Sequence, residues 1–299
     1  MSKQIIMRVV YNRPEMLQLS IEYEIAAREY HTIPGEFHTL FVVEHGAPQK
    51  IFDLINEYPF DHSVVTRDQK FGLTKNILEG MKDAFELADD YIIYIEDDIL
   101  VHETYFKYMD ILLNRKDLGK YIVLSAYNKE DDGDIYEVYR GNHYCAWGAL
   151  VTKKFFNDYI DHCINPGYYE DYASRDRFVK ALGRRFKDNE LYKYRNNPEM
   201  HNEQAGLINR LVDVAIIQDG AYVIMPRINR QRHIGFAGKN RQARPLIGNS
   251  FDERLEHLRD IINTSESMYD MTLSKQYKDY KIFSPKLDEW DGTLCLRED

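Results

Sequence analysis

Tyr91-Ile92-Ile93-Tyr94-Ile95-Glu96-Asp97-Asp98-Ile99-Leu100 is the stretch that decides how this chain folds. An unbroken run of β-branched and aromatic residues meets three acids. The run is too short for a helix of its own and does not alternate with polar residues. It is therefore expected as a strand buried on both faces, as in a parallel sheet. Three adjacent carboxylates repel one another, so stability does not account for them. A divalent cation relieves the repulsion, and hard ions such as Mg²⁺ or Mn²⁺ take carboxylate oxygens while keeping positions open for phosphate. Open parallel sheets also bind ligands at the carboxyl ends of their strands. The competing reading is an acidic turn that merely ends a core strand.

Around this strand, apolar runs over 4–10, 39–43, 63–66, 121–125 and 221–225 predict further strands. Helical spacing marks 15–29 (Leu17, Ile21, Ile25), 48–57, 74–88 (Ile77, Met81, Ala84, Phe85) and 102–114 (Phe106, Met109, Leu113). Pro14 suits a first helical turn, and Thr152 a cap for a helix over 153–163. Asn202 caps a helix carrying Leu207, Leu211 and Ala215 inward, and a last helix covers 252–263. The β-α alternation predicts an α/β fold with a mostly parallel, Rossmann-like sheet flanked by helices. Residues 130–135 read as a solvated acidic turn, with a metal site as the alternative, and 144–151 as a small apolar stretch around Trp147. Residues 166–200, dense in charge and tyrosine, read as an insertion lying over the sheet.

The 299 residues suffice for one large α/β domain or two small ones. A formal net charge of −10 argues against general polyanion binding, though a local basic patch can still take phosphate. The 23 tyrosines suit grooves for sugars or bases, since the ring buries and the hydroxyl stays polar. Cys145, Cys163 and Cys295 imply no disulfide framework and fit a reducing cytosol. The N-terminus has no signal-peptide pattern and no run reaches the length of a membrane span. A soluble cytoplasmic protein is expected, bacterial or, if viral, in the host cytoplasm.

These pieces suit transfer from a nucleoside-diphosphate sugar. A cation must neutralise the departing diphosphate. Asp98 is the favoured metal ligand, with Asp97 facing metal or ribose and Glu96 supporting both. A base must take the proton of the attacking hydroxyl. Glu203, in the first turn of a helix, is the candidate, and plain helix capping is its competing reading. Glu170, Asp171 and Asp176 follow as alternatives. Arg13 and Glu44 stand at strand ends where a nucleotide pocket forms. The basic stretch 227–244, with Arg232, His233 and Lys239 spaced by Gly235 and Gly238, is expected as a loop closing over phosphates, with an ordinary basic surface loop as the alternative.

At this point the residues resemble a family. Ile95-Glu96-Asp97-Asp98-Ile99, with Phe106 following in a helix, looks like the Glu-Asp-Asp metal motif of the β-1,2-N-acetylglucosaminyltransferase I family, inverting enzymes of the GT-A fold. Asn12-Arg13 falls where that family has an Asp-Arg pair at the nucleotide, and Glu44 where its acid meets uracil. Ser125-Ala126-Tyr127-Asn128 resembles its Ser-Ala-Trp-Asn, and Trp147-Gly148 lies in the region of its donor-sugar loop. Asn202-Glu203 stands at its paired aspartates, the second being the base, and Arg227 through Lys239 at the loop that orders over nucleotide.

The resemblance implies a GT-A nucleotide-sugar-binding domain over 1–245, with 166–200 on the acceptor side and 246–299 a helix and tail packed on it. It implies Mn²⁺ or Mg²⁺, a UDP-sugar donor and a hydroxyl acceptor: glycan, protein, small molecule or modified nucleobase. Here Glu replaces Asp at the base, 166–200 has no clear counterpart, and the Golgi enzymes' anchor is absent. Alternatives are glycosylation of a modified base in DNA, nucleotidyl transfer at the same acids, and a binding protein without catalysis. A nucleotidyltransferase usually carries a glycine-rich loop after its first strand, where this chain has Tyr11-Asn12-Arg13-Pro14.

Overall fold

The computed structural model describes residues 4–30, 37–128, 131–141, 145, 147–161, 188, 206–235, 245–263 and 283–297. β1 (Gln4–Val10) lies well inside a nine-stranded sheet and pairs in parallel with β2 (Phe37–Val43) on one side and β4 (Tyr91–Glu96) on the other. β3 (His62–Thr66) closes that edge, parallel to β2. The chain thus leaves β1 toward one edge and returns to the other side of β1 as β4. That reversal opens a crevice at the carboxyl ends of β1 and β4.

Strand alternation divides β1 between two cores. Ile5, Met7 and Val9 face α3 (Leu73–Leu87) together with Ile77, Met81, Ala84 and Phe85. Ile6 and Val10 face the layer of α1 (Pro14–Tyr30), α2 (Gln49–Asn56) and α4 (Tyr105–Leu113). α3 comes close because Gly80 has no side chain: a Cβ there would stand 3.0 Å from Val42. Arg8 shares the α1 face and is fully buried. Its Nε donates to Glu24 on α1 at 2.7 Å, while Arg28 and the Tyr58 hydroxyl bind the same carboxylate.

The second half of the sheet is mixed. β6 (Tyr121–Leu124) does not pair with β4; β8 (Ala149–Thr152) is inserted between them, antiparallel to both. β9 (Tyr222–Pro226) runs parallel to β6, β7 (Glu137–Gly141) antiparallel to β9, and β11 (Cys295–Arg297) parallel to β7 at the far edge. The stretch around Trp147 therefore leads into a central strand. Outside the sheet, β5 (Ile99–Val101) and β10 (Gln231–His233) form an antiparallel pair. The predicted helix at 153 begins as expected, with Thr152 accepting from the Phe155 amide, and continues as a π-turn over Phe156–Ile160. Helix Gly206–Asp219 joins the α3 side through Leu211, Val212 and Ala215. Helix Phe251–Asn263 packs on α1 and β5. Residues 283–297 return to the α4 face, where Leu287 and Trp290 are buried. The segment 166–200 lies outside the described residues apart from residue 188.

Candidate active site

The acids sit at the carboxyl end of β4, beside the end of β1. β4 ends at Glu96, a turn carries Asp97 and Asp98, and β5 begins one residue later. Both aspartates are 2% exposed. Arg13, immediately beyond β1, reaches across the crevice to them. Its Nε donates to Asp97 Oδ2 at 3.3 Å, its Nη1 to Asp98 Oδ2 at 2.5 Å and its Nη2 to Asp97 Oδ1.

The β5–β10 pairing supplies the opposite wall. His233 stands across from Ile99, and the Ile234 amide donates to the Asp98 carbonyl at 2.8 Å. This register sets His233 Nε2 3.1 Å from Asp98 Oδ2. Trp147 stacks on the His233 ring, centroids 4.3 Å apart and planes 10° from parallel, and Tyr127 meets Trp147 edge-on at 5.5 Å. Gly235 belongs to this packing, because a Cβ there would stand 2.6 Å from His233 Nε2 and inside contact distance of Asp98 Oδ2.

The electrostatics follow from burial and these pairs. Burial pushes Glu96 up to about 7, with Asp98 adding to the rise against Tyr94, His233 and Arg13. Burial likewise lifts Asp97 to about 6 despite Arg13. For Asp98 burial works upward, but His233 and Arg13 outweigh it and hold the carboxyl well below its usual range. His233 is raised, burial being overcome by Asp98. Glu96 thus resists ionisation chiefly because it is buried, and secondly because Asp98 is a neighbouring negative charge.

Among the described residues no three His, Cys, Asp or Glu side chains gather as a metal-ion site. Successive residues leaving a strand point to opposite faces: Glu96 takes the side of Tyr94, and Arg13 occupies Asp97. A narrower fit remains. Asp98 Oδ1 is buried without a hydrogen-bond partner. One free carboxylate oxygen beside another acid suits Mg²⁺ or Mn²⁺, which fill their shells with phosphate and water.

Other expected residues stand as follows. Glu44 is 4% exposed and its oxygens accept from the amides of His45, Phe71 and Gly72, so it clamps the loop before α3. Arg232 is 7% exposed and paired with Asp131, pointing away from His233 by strand alternation. Asp131 itself is 1% exposed in a left-handed backbone conformation and also accepts from the Asn229 amide at 2.7 Å. It is a buried strut, where a solvated turn was expected. Glu203, Lys239, Glu170, Asp171 and Asp176 lie outside the described residues, as does the loop from 236 to 242.

Sequence reasoning passed over Gln231. It shares the His233 face of β10, packs against Gly148, is fully buried, and neither polar atom of its amide has a partner. No local pattern marks such a residue, because its burial depends on β5 and the Trp147 turn.

No family model and no curated protein matches the chain. Solved structures similar to it include TarS 1-349 of S. aureus, at 12% identity over 53% of this chain and 49% of that one, with a TM-score of 0.39. Another is the mannosyltransferase PcManGT from Pyrobaculum calidifontis in complex with GDP-Man and Mn²⁺, at 11% identity over 52% and 45%, TM-score 0.36. A third is the inositol-1-phosphate CTP transferase from T. maritima, at 10% identity over 87% and 98%, TM-score 0.42. The chain spans about half the length of the first of these structures. Among the described residues no helix is long and apolar enough to cross a membrane. The mixed α/β architecture with a mostly parallel sheet and flanking helices stands on the strand pairings themselves.

Proposed function

We propose that this chain is an inverting glycosyltransferase of the GT-A type. It moves a sugar from a nucleoside-diphosphate sugar, a UDP-sugar in the first instance, to a hydroxyl acceptor, with Mn²⁺ or Mg²⁺ held at Asp98. The observation that carries this reading is the meeting of Asp97, Asp98, Arg13 and His233 at the β1–β4 reversal, with one buried Asp98 oxygen left over. The bound cation supplies charge neutralisation for the leaving diphosphate. Asp98 would hold it, with Asp97 facing metal or ribose and Glu96 supporting both. His233, paired with Asp98 and fixed in plane by Trp147, is placed to donate a hydrogen bond to the phosphates. Glu203 takes the proton of the acceptor hydroxyl as that oxygen bonds the anomeric carbon and the bond to diphosphate breaks. The stretch 228–242, of which Gln231–His233 is strand β10, excludes water. The finer likeness to the β-1,2-N-acetylglucosaminyltransferase I family rests on the order of motifs along the chain.

A panel of nucleotide sugars, scored for Mn²⁺-dependent release of nucleoside diphosphate with and without acceptors, tests the reading. Glu203→Gln is expected to keep UDP–Mn²⁺ binding and lower transfer by at least about a hundredfold, the usual share of a positioned base. Undiminished transfer moves the base elsewhere. Pyrophosphate release from a nucleoside triphosphate and a sugar phosphate would replace the proposal with nucleotidyl transfer.

A further inference from the structure

Arg13 is the feature that this reading leaves unexplained. A guanidinium that donates to both aspartates covers the charge a cation would meet. Its side chain is 17% exposed, so it lies at the mouth of the site, whereas the aspartates are at its floor. It is anchored at the turn after β1, and no other acid pairs with it among the described contacts. Arg13 therefore has both aspartates as partners and keeps a solvent exposure that they lack.

We propose that Arg13 is a built-in counter-cation, which holds Asp97 and Asp98 together until a divalent cation takes its place and is then handed to the diphosphate. The inference rests on the proposed metal role of Asp98 and adds to it a competition.

The physical reasons are geometric and electrostatic. Two buried carboxylates one residue apart need positive charge at all times, or one of them takes up a proton. A guanidinium fork meets that need by binding both carboxylates. Yet it leaves Asp98 Oδ1 unpartnered, so the pairing is incomplete and a smaller, doubly charged ion can improve on it. Once displaced, a planar cation at the mouth of the crevice matches phosphate oxygens in the same bidentate way. Divalent cation and Arg13 thus oppose each other on the aspartates, whereas nucleotide and Arg13 support each other. A nucleotide that captures the released guanidinium must tighten the ion by the same factor as the ion tightens it.

Arg13→Gln removes the competitor and keeps a polar, uncharged side chain, shorter than the arginine. Mn²⁺ binding alone, followed by the electron paramagnetic resonance of free Mn²⁺ at pH 8, is expected to tighten at least about tenfold, while UDP binding at saturating Mn²⁺ weakens at least about tenfold, each about 1.4 kcal/mol. Opposite signs are the diagnostic, because mere loosening of the fold weakens both. Thermal unfolding with and without Mn²⁺ reports in parallel: the ion is expected to raise Tm more in the variant than in the parent chain. If Arg13→Gln does not fold, Arg13→Lys is measured, since it keeps the charge and loses the fork, and the same two directions are expected at reduced size. Mn²⁺ binding that is unchanged or weaker in a folded variant overturns the inference while UDP–Mn²⁺ binding by the parent upholds the metal site. No Mn²⁺ binding in parent or variants removes the metal site and the inference together.

Discussion

Glu24→Gln removes the negative charge from the ion cluster beneath α1. Glu24 is fully buried and receives Arg8 Nε at 2.7 Å, Arg28 Nη2 at 2.7 Å and the Tyr58 hydroxyl at 2.5 Å. One carboxylate serves two guanidinium groups there, and Arg8 is itself fully buried, with Ser20 as its remaining partner. Neutralising the acid strands a buried cation, which costs about 3–5 kcal/mol. The amide oxygen still accepts one bond, so the lower end, about 3 kcal/mol, is expected; that is a large share of a stability of about 5–15 kcal/mol. Urea unfolding followed by circular dichroism measures it.

The pH dependence gives a second check. Burial raises the pKa of Glu24, but Arg8 and Arg28 outweigh it, and the net displacement is below 4.5. The stabilisation is therefore complete above the unfolded value and disappears as pH falls through the lowered folded value. The parent and Glu24→Gln should differ at pH 7 and converge in acid. A loss under about 1 kcal/mol at pH 7, or a difference unchanged in acid, refutes the reasoning. The pair Arg8→Met, Glu24→Leu should cost less than the single change, since it removes the two fully buried charges together and leaves Arg28 with Thr39 and Tyr58 as partners.

His102 gives a pH effect in a separate window: burial holds it down to about 4, against Asp288 and aided by Arg230. Its folded pKa lies below the reference 6.5, so its contribution is intact above 6.5 and is lost as pH drops from there toward about 4, up to about 3 kcal/mol. His102→Gln should flatten the Tm profile across that window, and an unaltered profile counts against it. Gly235→Ala pushes a methyl against His233 and Asp98. UDP–Mn²⁺ affinity should fall at least about tenfold, some 1.4 kcal/mol, with Tm nearly unchanged; equal affinity means that the His233–Trp147 stack plays no part in binding.

Much of the frame was legible because buried parallel strands must be apolar on both faces. β1, β2 and β4 announce themselves that way, and α3 by its four inward residues. β8 did not, since its four residues Ala149–Thr152 are too few to carry a period and its place between β4 and β6 depends on both neighbours. β5 and β10, three residues each, exist only because they pair with each other.

The site divides in the same way. Asp97 and Asp98 could be read from a local pattern, because an apolar strand ending in acids is unusual in itself. Arg13 could be placed at a strand end, but that it spans 84 and 85 residues to hold both acids could not. Glu44, read as a strand-end pocket residue, is buried on loop amides, and Arg232 and Asp131, which look like surface charges in sequence, are buried against each other across 101 residues. The sequence by itself determined the alternating α/β order and the acid-tipped strand, because both arise from neighbours a few residues apart. The tertiary structure alone decided which charges are spent on holding loops and which face the crevice, because a side chain's partner across such distances is set by the packing of the strands between them.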